Sequence, residues 1–217
     1  MVQMRRWGRW MLWAVMGIIA AGLILIAIVV IPIITHTDSG PSTPVLDGSV
    51  SESVAASTGS DGRDRTLSVF AEDGVTPADL SAVQPGDRFV VRGRGFDPAQ
   101  GIYVAVCANP GDPATKPAPC LGGIPEGATE KKDASANRNE FIPSTWITDA
   151  PVWRPFATRG YDSETGEFTA YLQVPEATAE GLDCRVDTCA IVSRNDHTAA
   201  GDRVQDLLVD LEFGPTR

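Results

Sequence analysis

The sequence predicts an all-β sandwich domain behind a single N-terminal transmembrane helix. Two observations carry this. From Trp10 to Thr37 there is no Asp, Glu, Lys or Arg. From Thr66 onward, short runs rich in β-branched and aromatic residues alternate with Gly/Pro turns at sandwich-like spacing. The 217 residues leave room for one or two domains.

Residues 1–10 read as a cytoplasmic N-terminus and residues 11–35 as a signal anchor. The apolar run "MLWAVMGIIAAGLILIAIVVIPII" has 24 residues. As a helix it would be ~36 Å long, against a hydrocarbon core of ~30 Å. A cleaved signal peptide would have a shorter apolar stretch and a small-residue cleavage site, and "IPIITHTDSG" has no A-x-A. Arg5, Arg6 and Arg9 precede the run, so the positive-inside rule keeps the N-terminus in the cytoplasm and exports the rest. Trp7, Trp10 and Trp13 sit where aromatic residues anchor a helix at headgroup level. Gly17 and Gly22 do not have the G-x-x-x-G spacing of a helix dimer.

Residues 36–65 are rich in Ser, Thr, Gly and Asp and poor in large apolar side chains. Such a stretch buries too little surface to offset its ordering entropy, so a flexible linker is expected. Residues 66–217 form the extracytoplasmic domain. Its expected strands are "TLSVFA", "RFVVRG", "IYVAVC", "FIPSTWI", "EFTAYLQV", "CAIVSR" and "VQDLLVDLEF", with helical turns only near "TPADLSA" and "PEATAEG". In "DRFVVRGRGF", Phe89 and Val91 share one face and Arg88 and Arg92 lie on the other, the pattern of a half-buried strand. In "GIYVAVC" both phases are apolar, so the strand is covered on both faces, by a loop or as one wall of a cleft.

Charge narrows the function classes. Setting aside the three N-terminal arginines leaves 15 basic residues against 28 acidic ones, a net −13 on the exported part. Such a surface repels phosphate backbones and releases no counterions, which argues against nucleic acid as a partner. The four cysteines, Cys107, Cys120, Cys184 and Cys189, lie in the exported part, where paired cysteines become disulfides. Three connectivities are possible. The local one closes loops of about 14 and about 6 residues, each stabilising by roughly 3 and 2 kcal/mol. The C-x2-C spacing of a zinc knuckle and a thioredoxin C-x-x-C are both lacking.

Ser193, His197 and Asp202 or Asp206 can be written as a hydrolase triad, but His197 sits in a polar turn, "RNDHTAAGDR", and no G-x-S-x-G elbow exists. Asp196, His197 and Asp202 read as solvated turn residues rather than metal ligands. No catalytic residue, metal or cofactor is expected. "GRGF" lacks the third glycine and following helix of a dinucleotide fingerprint. Arg88, Arg92 and Arg94 make a basic patch in an acidic domain.

The ordered set "LSAVQPGDRFVVRGRGFDPAQGIYVAVCA", Cys120, "GEFTAYLQV" and "DCRVDTCAIVSRNDHTAAGDRVQDLLVDLEF" resembles the neocarzinostatin family of actinobacterial chromoproteins. The chain also resembles corynebacterial-type envelope proteins that carry this module. The resemblance implies a seven-stranded immunoglobulin-like sandwich with disulfides Cys107–Cys120 and Cys184–Cys189. The chromoproteins hold an enediyne beside the first disulfide, on a strand presenting Gln, Gly and Ser. Here those positions are Ala190, Val192 and Arg194, and only nine residues separate Val174 from Cys184, too few for the family's ribbon. An insertion at about 121–166 brings Trp146, Trp153, Phe156 and Tyr161.

The reading is a single-pass plasma-membrane protein with a non-enzymatic extracytoplasmic binding module, whose partner is an envelope protein or a small apolar ligand. The expected contact residues are Tyr103, Trp146, Trp153, Phe156, Ala190, Val192 and Arg194. The alternative is a small-molecule carrier or sequestration protein.

Overall fold

The computed structural model describes residues 2–44, 52–125, 140–179 and 181–215. It divides into two compact units, Met1–His36 and Thr37–Arg217. The first is helix α1, Val2–Thr35, with Pro32 in its last turn. From Trp10 to Thr35 it is long and apolar enough to cross a membrane. Its large side chains, among them Trp10, Leu23 and Ile34, are exposed, as a lipid-facing helix requires.

The second unit is a two-sheet antiparallel sandwich. One sheet runs in the order β1 (Thr43–Pro44), β2 (Val54–Thr58), β3 (Asp64–Ala71), β4 (Arg88–Arg94) and β7 (Phe168–Gln173). The other runs β11 (Leu207–Leu211), β10 (Cys189–Asn195), β5 (Ile102–Ala108) and β6 (Ser144–Ile147). A ribbon of two-residue strands, β8 (Thr178–Ala179) and β9 (Leu182–Asp183), stands apart. The inward phases of both sheets meet in one core. Leu67, Val69, Phe89, Val91, Ala170 and Leu172 come from the first sheet, and Ile102, Val104, Val106, Ile191 and Val209 from the second. Full burial of each large aliphatic side chain contributes about 1.5–3 kcal/mol.

All seven expected strands are present; in β4, Phe89 and Val91 are buried and Arg88 and Arg92 exposed as expected, but Val90, between the two arginines on their face, is buried as well. Four local readings differ. First, Val54–Thr58, inside the stretch expected as a flexible linker, is a strand paired with β3 from Val54↔Ser68 to Thr58↔Asp64. Upstream of it, Thr43–Pro44 pairs with Thr58 and Ser57, and Ser42 Oγ donates to the Asp206 carbonyl at 3.1 Å. "VAAST" has little intrinsic strand signal, and pairing with the strong β3 supplies what its side chains do not. Residues 45–51 of that stretch lie outside the described residues, as do 126–139 of the insertion.

Second, "TPADLSA" forms no helical turn. Pro77 bridges to Phe70, Asp79 Oδ1 accepts from the Ser81 N–H at 3.0 Å, and the Glu212 N–H donates to the Leu80 carbonyl at 2.8 Å. The segment crosses from one sheet to the edge of the other. Third, in place of a helical turn at "PEATAEG", Thr178–Ala179 pairs with Leu182–Asp183 as the small ribbon. Fourth, "FIPSTWI" is split. Ile142 bridges to Leu172 of β7, while Ser144–Ile147 pairs with β5 in the opposite sheet. Pro143 has no N–H to continue a ladder, and the chain changes sheets there.

Both disulfides have the local connectivity, Cys107–Cys120 and Cys184–Cys189, with Cα–Cα distances of 3.9 and 5.6 Å.

Candidate binding face

The outer face of the β11-β10-β5-β6 sheet is built in cross-strand rows. Register places Arg194 opposite Tyr103, and Tyr103 opposite Trp146. The next row is Leu208, Val192, Ala105 and Ser144; the one after is Asp210, Ala190 and Cys107. Alternation along each strand therefore gathers Tyr103, Trp146, Ala190, Val192 and Arg194 on one face.

The floor of this face is closed. Ala190 and Val192 are both at 0% exposure, and they pack with Ala105, Cys107, Cys120 and Leu208. The Cys107–Cys120 bridge draws the preceding loop over the strands, and Arg194 Nη1 donates to the Pro117 carbonyl at 3.1 Å. Ala190 and Val192 thus fill a covered satellite core, and the second apolar phase of "GIYVAVC" is explained by a loop cap.

One end of the face is a cluster of four rings. The indole of Trp146, only 3% exposed, donates from Nε1 to Asp196 Oδ2 at 3.0 Å. The Tyr103 hydroxyl and His197 Nδ1 share a hydrogen bond of 2.9 Å. Burial and the Asp196 charge push the Tyr103 hydroxyl up to about 12, so it keeps its proton at neutral pH. Trp153 meets the His197 ring edge-to-face at 4.8 Å, Trp146 meets it at 5.2 Å, and the two indoles lie 6.1 Å apart. Arg194 stacks over Tyr103 at 5.9 Å. Trp153 is half-buried and His197 exposed, so the cluster has an open rim.

The insertion builds this end. After β6 the chain turns at Ala150, where both the Trp153 and Arg154 N–H groups donate to its carbonyl, and returns so that the Thr158 N–H donates to the Trp146 carbonyl at 2.9 Å. The Tyr161 hydroxyl donates to the Gln100 carbonyl at 3.0 Å, tying the end of the loop to the sandwich. Phe156 lies in this turn and makes no ring contact among the described residues.

Sequence reasoning took Asp196 as a solvated turn acid; the structure buries it at 1% exposure. Its Oδ1 accepts from the Thr198 N–H at 2.9 Å and the Thr198 hydroxyl at 2.6 Å, while Oδ2 holds Trp146. Gly101 is required beside it, because a Cβ there would sit 2.0 Å from Asp196 Oδ2. Asp202 and Asp206 are buried too. The written triad is not assembled: the Ser193 hydroxyl, at 0% exposure, donates to the Gln205 carbonyl at 2.9 Å and accepts from the Leu207 N–H, while His197 bonds to Tyr103.

The arginine patch lies on the outer face of the other sheet. Arg88 pairs with Glu72 at 3.0 Å and Arg94 with Glu167 at 3.3 Å, while Arg92 stacks on Phe70 at 4.9 Å. It is a largely charge-compensated surface.

A disulfide-stapled β-sandwich with an aromatic rim, preceded by an apolar helix, is the class of molecule these features define. No protein-family model matches the chain. Among curated proteins it is similar to Thiamine biosynthesis protein X of Corynebacterium glutamicum, at 31% identity over 127 residues, 57% of this chain and 54% of that protein. The chain thus spans about half the length of that relative. Among solved structures it is similar to macromomycin, with a TM-score of 0.34 and 18% identity over 68% of this chain and 99% of that one. At that score the likeness carries no argument, and the sandwich stands on its own strand pairing.

Proposed function

We propose that the chain is a non-enzymatic binding module anchored in the plasma membrane, with its N-terminus in the cytoplasm and its sandwich in the oxidising space outside, in an envelope of actinobacterial type. Its contact surface is the rim formed by Tyr103, Trp153 and His197, with Trp146 as the buried wall behind them. The observation that carries this reading is the convergence of four rings at one end of an otherwise closed face. Half-buried aromatic residues held rigidly are typical interface anchors. Two disulfides and the arginines before the helix support the exported orientation.

The covered floor at Ala190 and Val192 weighs against a chromoprotein-type cleft at those positions. A carrier role would have to use the rim instead. The relative's name makes thiamine and its precursors the first small molecules to offer. The test places a photo-crosslinking residue at position 153 in the membrane-embedded full chain within native envelope. The expected result is a discrete crosslinked protein or small molecule that is lost when His197→Ala is added. Crosslinks indistinguishable from those of a residue placed at the exposed Val186 would reject the rim.

A further inference from the structure

The far edge of the same sheet is β11, which pairs with β10 alone. Its register decides which backbone groups face outward. The Leu207 N–H turns toward Ser193 of β10, and Val209 and Leu211 follow it by period two. The alternate residues turn their N–H and C=O groups away from β10. Three hydrogen bonds agree with this parity. The Asp206 carbonyl accepts from Ser42 Oγ at 3.1 Å, the Glu212 N–H donates to the Leu80 carbonyl at 2.8 Å, and the Val83 N–H donates to the Glu212 carbonyl at 2.8 Å. Both ends of the edge are thus taken. Between them Leu208 and Asp210 turn their N–H and C=O groups outward, with no backbone partner among the described residues. Leu208 is half-buried and Asp210 exposed.

Pockets flank this open stretch on both sides. On the inward side, about 400 Å³ lies between β11 and β2, walled by Val54, Ala55, Leu80 and Leu211. On the outward side, about 190 Å³ lies between β11 and the loop after β5. Leu208 and Asp210 border both. A strand added here sends alternate side chains to opposite faces, one phase into each pocket. That is peptide recognition by strand addition, in which main-chain bonds give affinity and the alternate pockets give specificity. The edge from Asp206 to Glu212 spans ~20 Å at ~3.4 Å per residue, room for about five residues.

Charge selects the occupant. Glu52, Asp210 and Glu212 line the inward pocket, Asp112 and Asp210 the outward one, and all four are exposed. The cations Lys116, Arg194 and Arg203 gather instead around Asp206, at the closed end. A second copy of this chain would bring its own acidic edge, and like charges across a strand pair destabilise it. A segment carrying Lys or Arg meets the opposite sign.

We propose that β11 takes up an extended, basic segment of a partner protein as an added antiparallel strand. In antiparallel pairing, the residues opposite Leu208 and Asp210 share their outer face and exchange backbone bonds with them. Those residues carry the Lys or Arg side chains, and the residues between them place apolar side chains in the seam against Val54 and Leu80. The surface is separate from the aromatic rim and does not depend on its role.

The probe is the peptide acetyl-Val-Lys-Val-Lys-Val-amide, offered to the full chain in phosphatidylcholine nanodiscs and followed by NMR titration and amide hydrogen exchange. It should bind saturably and slow exchange of the Leu208 and Asp210 amides at least tenfold. Methylating its two Lys backbone nitrogens should lower affinity at least tenfold, while methylating its Val nitrogens should not. These peptides test the unaltered chain, so the result does not hang on a variant folding. Asp210→Lys, at an exposed position, should weaken the Lys peptide at least tenfold. The proposal is overturned if the Lys peptide does not saturate, if the methylated peptides bind alike or in the reverse order, if exchange at Leu208 and Asp210 is unchanged, or if folded Asp210→Lys binds as the wild type does.

Discussion

Trp146 and Trp153 lie 6.1 Å apart and have different tasks. Trp146 is buried and satisfies Asp196, so Trp146→Ala opens a cavity and strips a buried carboxylate oxygen of its donor. The expected cost is about 3–5 kcal/mol in urea unfolding. Trp153→Ala, at the half-buried rim, should cost less than half as much while removing the binding signal. Equal losses of stability would make both residues structural. Asp206 gives a pH signature. Burial outweighs Arg203 and pushes its carboxyl up to about 6, above the usual carboxylate range. The folded state therefore binds this proton more readily than the unfolded chain. The penalty of the ionised form is absent below about pH 4, grows as pH rises, and is complete above about pH 6. Comparing melting of the wild type with Asp206→Asn, the difference should shift in favour of the wild type on going from pH 7 to pH 4, by on the order of 2–3 kcal/mol. A difference that is flat with pH would mean that Asp206 titrates normally.

Among the elements, β4 depends on a close approach to β7. A Cβ on Gly93 would lie 2.0 Å from the Phe168 ring, which itself packs edge-on against Phe96 at 4.9 Å. Gly93→Ala should destabilise by several kcal/mol in denaturant unfolding, because overpacking against a ring wedged in the core has little room to relax. The two disulfides should differ in more than loop length. Removing Cys184–Cys189 by paired Cys→Ala changes should cost roughly 2 kcal/mol, and removing Cys107–Cys120 roughly 3. Only the second holds the loop over Ala105, Ala190 and Val192. The variant lacking it should bind a hydrophobic dye such as ANS at temperatures where the other does not. Dye binding that is equal in the two variants would show that Arg194 and its bond to Pro117 hold the cover without the bridge.

For the whole molecule, the apolar helix and the sandwich are separate compact units, and the second has its own core. A chain beginning at Thr37 should therefore be soluble and folded, while the full chain fractionates with membranes. Orientation is tested by a cysteine at exposed Ser60. It should react with a membrane-impermeant maleimide added to intact cells; protection until lysis would invert the topology.

Local pattern carried a large part of this protein. A run without charge is long and apolar enough to cross a membrane, and short β-branched runs bounded by Gly/Pro turns are enough to recognise β3, β4, β5, β7 and β10, because both signals sit within a few neighbouring residues. It also shows that both faces of "GIYVAVC" are buried. Whether the cover is a loop or a ligand cleft depends on the Cys107–Cys120 loop and on Arg194, which tertiary structure alone brings together. β2 has little signal of its own and becomes a strand only against β3. Pro143 marks a break, but not that the two halves of "FIPSTWI" join opposite sheets. The ring cluster draws on residues from Tyr103 to His197, 94 positions apart, and Asp196 becomes a buried hydrogen-bond hub only when Gly101 and Trp146 close on it. Helix, strands and faces follow from short-range signals; the covered floor, the aromatic rim and the buried Asp196 hub arise from contacts between distant segments, and those are set by packing.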